Sequence, residues 1–174
     1  MSTVDTTEYK LAGVHKPGSK YYWGPRLWSM FHTLADISNR RDIGQIWTMF
    51  LNASAQVLPC PQCKQHFQAY LQTHNMIPVK NPLQITGALM RQQIRKSIHS
   101  FHNDVNARLG KPHVKFENTK PTERVSALQT LQLLLSDITA AWEPLLHTAI
   151  AVPAFSHWKS IVQMLIALLA GGPN

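Results

Sequence analysis

Apolar residues recur every three or four positions along most of this chain, and no stretch alternates polar and apolar residues over a strand's length. Spacing of three and four places apolar side chains on one face of an α-helix, whereas a half-buried strand needs a period of two. The 174 residues are enough to bury one hydrophobic core without disulfide staples. We therefore predict an all-α fold.

Prolines, glycines and capping residues divide these periodic stretches into helices. The first would run from Pro25 to about Asn39, the second from Asp42 to Leu58, and a short third from Pro61 to about Leu71. A fourth and longest helix would have Asn81 as its N-cap and stop at Gly110. Residues predicted to face inward are Trp28, Phe31, His32, Ala35, Ile43, Ile46, Trp47, Phe50, Leu51, Ser54, Leu58, Phe67, Tyr70, Leu71, Ile94, Ile98, Phe101, Val105 and Leu109. Four such helices make a bundle, which places cofactor sites between facing helices.

A leucine-rich C-terminal part follows, in which Val125, Leu128, Leu131, Leu135, Ile138 and Trp142 keep the same rhythm. We predict a fifth helix there and another from Trp158 to Ala170. Their apolar faces would complete the core, form a dimer interface or meet another protein, and the periodicity fits all three.

The net charge of +8 favours anionic partners such as nucleic acid, an acidic membrane surface or a phosphate-bearing cofactor. The basic residues are scattered rather than gathered in one tract, which argues against nucleic acid. The first twenty residues are polar without the apolar core of a signal peptide, and the apolar run 161–170 is about half the length of a membrane span. We expect a cytosolic protein without a membrane span.

The chain contains two cysteines, Cys60 and Cys63, in a C-x-x-C pair at the predicted start of the third helix. The positive end of a helix stabilises thiolates, so such a pair is typically reactive rather than inert. A redox disulfide is the first hypothesis. The alternative is a zinc-stabilised helical binding module, with ligands Cys60, Cys63, His66 and His74.

Two further motifs would complete a redox site. Trp28 and His32 lie four residues apart and share a helix face. In the stretch HNDVNARLGKP, His102 and Asn106 share another face. Polar groups beside aliphatic ones suit a heteroaromatic ring system, which needs hydrogen bonds at its edge and packing on its face. Lys111, at the helix end, is placed to meet a pyrophosphate.

These three motifs together resemble the Erv/ALR-type flavin-linked sulfhydryl oxidases, most closely the minimal forms encoded by large DNA viruses. The resemblance covers about residues 22–116 and rests on W-x-x-x-H at Trp28 to His32, on LPCPQC ending at Cys63 and on the stretch from His102 to Pro112. It implies a four-helix bundle with a short additional helix that binds FAD, and usually a homodimer. The expected organisation is an N-terminal segment 1–20, an FAD-binding thiol oxidase domain 21–118 and a helical C-terminal extension 119–174.

The resemblance also implies a mechanism. A substrate thiolate would attack Cys60, Cys63 would be released and face the flavin, and oxygen would reoxidise the flavin to give hydrogen peroxide. The residues that the resemblance assigns to FAD are Arg26, Trp28, His32, His102, Asn103, Val105, Asn106, Leu109, Lys111 and Phe116. Many relatives have a second cysteine pair that relays electrons, which this chain lacks. The substrate protein or a thioredoxin-like relay would therefore reach Cys60 directly, and any dimer would be noncovalent, in host cytoplasm or virion if the protein is viral.

Overall fold

The computed structural model describes residues 15–77, 85–116 and 120–172. They form six α-helices: α1 Lys20–Ile37, α2 Gly44–Val57, α3 Pro61–Thr73, α4 Gly87–Arg108, α5 Arg124–Trp142 and α6 Val152–Ala170, with one 3₁₀ turn at Glu143–Leu145. No strand is present in these described ranges. The predicted all-α fold is confirmed, with a bundle followed by a helical extension.

Helix α1 begins five residues before the predicted start. Ser19 caps it by accepting a hydrogen bond from the backbone N–H of Tyr21 at 3.2 Å. Pro25 therefore lies inside the helix rather than at its first position, and the helix lacks the bond that a residue with an N–H would donate there. The prediction was wrong because burial of Trp23 against Trp142, at 5.7 Å between ring centroids, favours helix upstream of the proline.

The other boundaries follow the predictions more closely. Helix α3 has Cys60 as its N-cap and Pro61 in its first turn, as predicted. Helix α4 begins at Gly87 after Thr86, whose hydroxyl accepts from the N–H of Leu89; the predicted cap, Asn81, lies outside the described residues. Gly110 has a φ of +68°, a conformation that favours glycine, and it ends α4 as predicted. Helix α6 begins six residues earlier than expected, with Pro153 in its first turn.

The bundle has α1 and α2 in its middle. Helix α1 packs against α4 on one side and α5 on the other, while α2 packs between α3 and α6. The two-helix extension therefore shares the core of the bundle rather than standing apart from it. Two buried indoles tie the layers together, because Trp47 Nε1 donates to Ser38 Oγ at 2.7 Å and Trp158 Nε1 donates to Ser54 Oγ at 3.1 Å.

An ion pair fixes the start of the extension to α1. Arg95 donates to one oxygen of Asp36 at 2.8 Å, and the other oxygen accepts from the backbone N–H and the hydroxyl of Thr122. Both side chains of the ion pair are 13% exposed. The segment leading into α5 is thereby held against the α1–α4 contact.

Most residues predicted to face inward are buried, but Leu109 and Val125 are exceptions. Leu109 is 57% exposed because it follows the last residue of α4, and Val125 is 70% exposed in the first turn of α5. Helix α6, 19 residues long, is long and apolar enough to cross a membrane by length and composition. Its inward face, which includes Trp158, Ile161 and Leu165, is buried, and the helix packs on α2.

Candidate active site

Cys60 and Cys63 form a disulfide at the first turn of α3. The Cys60 sulfur also caps the helix, accepting a hydrogen bond from the Cys63 N–H at 3.2 Å. Both side chains are partly buried against the core. A thiolate formed at either position would lie at the positive end of the helix, which stabilises negative charge.

An aromatic cluster connects α3 to the facing helices. Phe101 of α4 packs on Phe67 and Tyr70 of α3, each at 4.5 Å between ring centroids. Phe101 also contacts Trp28 of α1 at 5.2 Å. Because Cys63, Phe67 and Tyr70 are spaced by four and three, they share one face of α3. The disulfide end of α3 and the Trp28 side of α1 therefore meet across Phe101.

Trp28, His32 and His102 form one contiguous group. The Trp28 indole stacks on the His102 ring at 4.1 Å with 6° between the ring planes, and Nε2 of His32 lies 2.9 Å from Nδ1 of His102. Burial lowers the pKa of His32 to about 4 and that of His102 to about 3. Both rings are therefore neutral near pH 7, and one donates the shared hydrogen bond while the other accepts it.

Asn103 holds the segment after α4. Its amide nitrogen donates to Val114 O at 2.8 Å, and its amide oxygen accepts from Val114 N at 3.0 Å. A nitrogen of His99 also lies 2.7 Å from Val114 O. Phe116, farther along this segment, packs edge-on against His99 at 5.4 Å. The side chain of Asn103 is therefore used to position residues 111–116.

The remaining predicted binding residues cluster at the end of α4. Asn106 is a buried polar residue, only 8% exposed. Its backbone oxygen accepts from Lys111 N at 2.8 Å, which brings Lys111 back toward the helix end. Val105 is partly buried against the core, and Leu109 is exposed.

Arg26 does not join this group. Its guanidinium lies 3.7 Å from the centre of the Tyr22 ring and donates to Asp137 of α5 at 3.3 Å. Two positions separate Arg26 from Trp28, which places them on different faces of α1. The structure therefore brings Arg26 to the extension.

A pair that the sequence analysis did not identify lies between α3 and α4. Nε2 of His66 on α3 is 2.9 Å from Oδ2 of Asp104 on α4. His66 was considered only as a zinc ligand, and Asp104 was not singled out. Their contact depends on how α3 and α4 are aligned, which the sequence does not show. The sequence shows only the three-residue spacing from Cys63 to His66, which places these two residues on one helix face.

The zinc hypothesis is not favoured. The two cysteines are bonded to each other, so neither offers a thiolate, while His66 faces Asp104 and His74 stacks on Tyr70 at 3.9 Å. Within the described ranges, no group of three or more His, Cys, Asp or Glu side chains is arranged to hold a metal ion.

Comparison with known proteins places this arrangement in a family. The sequence profile described as the Erv1 / Alr family matches residues 25–125, which include the disulfide, the Trp28 group and the end of α4. The chain belongs to the Erv1 / Alr family. The resemblance inferred from the three motifs is thereby confirmed.

Individual relatives of this Erv1 / Alr chain come from large DNA viruses. The FAD-linked sulfhydryl oxidase of African swine fever virus (isolate Pig/Kenya/KEN-50/1950) is 29% identical over 128 residues, which cover 71% of this chain and 98% of the viral protein. A protein of Invertebrate iridescent virus 3, provisionally named as an FAD-linked sulfhydryl oxidase, is 29% identical over 133 residues, covering 75% of this chain and 84% of that protein. No solved structure matches the chain.

Proposed function

We propose that this chain is an FAD-dependent thiol oxidase that forms disulfide bonds in dithiol-containing proteins. The observation that carries the proposal is the Cys60–Cys63 disulfide at the start of α3, on the helix whose inner face meets Trp28 and His102 through Phe101. Family membership and the names of the viral relatives support the same reaction.

The residues around Trp28 and Asn106 fit FAD. The stacked Trp28 and His102 rings form an aromatic surface on which a flat ring system can pack, and the carboxamide of Asn106, a residue only 8% exposed, suits a hydrogen bond to a bound ligand. The residues that would hold FAD are Trp28, His32, His102, Asn103, Val105, Asn106, Leu109, Lys111 and Phe116. Arg26, which the resemblance also assigns to FAD, pairs with Asp137 in this structure. Bound FAD would supply the electron acceptor for the reduced cysteines and pass those electrons to oxygen, giving hydrogen peroxide.

The protein's own part in the reaction is thiol–disulfide exchange. A substrate thiolate attacks the Cys60 sulfur, a bond forms between these two sulfurs, the Cys60–Cys63 bond breaks, and the electron pair leaves on Cys63. The second substrate thiol, as a thiolate, then attacks the substrate sulfur of the mixed disulfide, the substrate disulfide forms, the bond to Cys60 breaks, and the electron pair leaves on Cys60, which takes up a proton. Because the chain has two cysteines in all, a separate dithiol protein would act as any relay.

The extension and the surroundings of the enzyme are part of the proposal. Residues 119–174 act as a helical extension that completes the core of the oxidase domain 21–118, and α6 is a core helix of a protein without a membrane span. A homodimer would be noncovalent, since both cysteines are used within one chain. The proposed location is the cytoplasm of a virus-infected cell, where such an enzyme supplies oxidation that a reducing compartment lacks.

Flavin content and oxygen consumption test the function directly. Purified protein should show flavin absorbance in the visible range, and it should consume oxygen and form hydrogen peroxide when given dithiothreitol. A protein that stays colourless after incubation with FAD would overturn the proposal. So would a flavin-loaded protein that does not oxidise dithiols.

A further inference from the structure

His66, three residues after Cys63 on α3, faces Asp104 of α4. Nε2 of His66 lies 2.9 Å from Oδ2 of Asp104, and both atoms are shielded from solvent. The contact is an ion-pair distance rather than an aligned hydrogen bond, and neither atom has a hydrogen-bonding partner in the part of the chain that the structure describes. The His66 ring also lies over Phe101, at 6.3 Å and 17°. The imidazole is therefore held from two sides.

The spacing in α3 brings this ring to Cys63. Helical side chains three residues apart are neighbours, with about 5–6 Å between their Cβ atoms. Side chains in a helix also lean toward its N-terminus, so the ring of His66 extends over the turn that contains Cys63. Since Nε2 faces Asp104, Nδ1 is the nitrogen left for the cysteine.

We propose that His66, oriented by Asp104, takes the proton of the Cys63 thiol when the disulfide is reduced. Cys63 leaves the exchange as a thiolate, and in the reduced protein a proton shared between this sulfur and His66 lies on Nδ1 of His66, so that the imidazolium lies between the Cys63 thiolate and the Asp104 carboxylate. No electrons move in this step. The inference rests on the proposed function, in which Cys63 is the leaving thiolate of the exchange, and a thiol of lower pKa leaves faster. His66 is the proton acceptor for Cys63, and Asp104 is a positioning residue that acts through His66.

Asp104 is the acidic side chain that faces His66, because the other ionisable groups near it on α3 and α4 are basic or neutral. They are Lys64 and Tyr70 on α3 and His102 and Arg108 on α4, while α2 has no ionisable side chain. Burial raises the pKa of Tyr70, with a further contribution from the charge of Asp104, and burial lowers that of His102 to about 3. Both are therefore neutral near pH 7. Lys64 is present in every variant of the test below, so it does not contribute to a difference between them.

Single-thiol variants test the proposal because the chain contains two cysteines. In Cys60→Ser, the rate of alkylation by iodoacetamide against pH reports the pKa of Cys63 alone. We expect this pKa to lie below about 7.5, and His66→Gln to raise it by about one unit or more. Glutamine keeps an N–H donor for Asp104 but has no second basic nitrogen. Asp104→Asn, at a side chain 43% exposed, should shift the same pKa in the same direction and serves if the glutamine variant does not fold.

Cys63→Ser provides the matched control. It reports the pKa of Cys60, six residues from His66, which His66→Gln should leave unchanged. A Cys63 pKa that neither substitution moves would overturn the proposal, and so would equal shifts at Cys60 and Cys63. The titration needs neither FAD nor oxygen. If the Cys63 pKa depends on His66 but the protein binds no flavin, the proposed oxidase function is refuted and this inference stands. If the protein is an active flavoprotein whose Cys63 pKa does not depend on His66, the oxidase function stands and this inference is refuted.

Discussion

His32 of α1 and His102 of α4 share a hydrogen bond between Nε2 of His32 and Nδ1 of His102, at 2.9 Å, inside the proposed flavin site. Two histidines at this distance are compatible only while at least one is neutral, and a neutral imidazole has one donor and one acceptor. Their contact therefore joins the two helices that carry the W-x-x-x-H and HNDVN motifs, and it makes this helix pair sensitive to acid.

We expect acid to destabilise the protein through these two histidines. Burial lowers the pKa of His32 to about 4 and that of His102 to about 3, from an unfolded value of 6.5. The contribution of the two neutral histidines to the free energy of unfolding is complete above pH 6.5. It is lost as the pH falls toward 4 and 3, because the unfolded chain binds protons at a higher pH than the folded protein does. The slope is about 1.4 kcal/mol per pH unit for each histidine. Urea unfolding at pH 7, 6, 5 and 4 measures it.

Substitution distinguishes the contribution of this buried pair to the pH dependence of stability from that of the other histidines. His102→Gln should flatten the dependence between pH 6 and 4, whereas His157→Gln, at an exposed position of α6, should leave it unchanged. Equal slopes in the parent protein and in His102→Gln would contradict the prediction.

Both cysteines are expected to be required for dithiol oxidation. Cys60→Ser and Cys63→Ser should each abolish oxygen consumption with dithiothreitol, because neither can form the disulfide that accepts the substrate's electrons. Serine is a good N-cap, so Cys60→Ser keeps an acceptor for the Cys63 N–H. Flavin absorbance should remain in both variants. Residual turnover in either one would rule out the electron path through the pair.

Asn103→Ala should weaken FAD binding by about tenfold. The substitution removes two hydrogen bonds to Val114 that hold residues 111–116. Each bond contributes about 1 kcal/mol, and water replaces part of this, so the remaining loss of binding free energy corresponds to about tenfold in the dissociation constant. Fluorescence titration of the flavin-depleted protein measures the dissociation constant. The matched control is Asn52→Ala, which removes an exposed amide that bonds within its own helix. Equal affinities in the two variants would show that Asn103 does not position this segment.

The amphipathic helices and the order of the three motifs could be predicted because both are written in local spacing. Leu131, Leu135 and Ile138 are buried as their period requires. The start of α1 could not be predicted, since Pro25 is a strong signal for a helix start, whereas the contact between Trp23 and Trp142, which supports the earlier start, joins residues 119 positions apart in sequence. His66 and Asp104 are 38 positions apart and meet only once α3 and α4 are aligned.

The apolar periodicity of the extension fitted core, dimer interface and partner surface alike. What the sequence lacked was the partner of each apolar face. The structure supplies it, because α5 packs on α1 and α6 packs on α2. Arg26 illustrates the same limit: the resemblance assigned it to the flavin, and its ion pair with Asp137 of α5 could not be read from the sequence.

Loss of the extension is expected to expose the core of the bundle. Trp158 is fully buried on α2, and its indole N–H donates to Ser54, so Trp158→Ala should destabilise the protein by about 3–5 kcal/mol. Ser160→Ala, at an exposed position of the same helix, should change stability by less than about 0.5 kcal/mol. Removal of residues 121–174 uncovers the whole face and should cost solubility or assembly more than flavin chemistry. Thermal unfolding and size-exclusion chromatography measure both effects, and a truncated protein that stays soluble with an unchanged oligomeric state would mean that α1 and α2 do not need this cover.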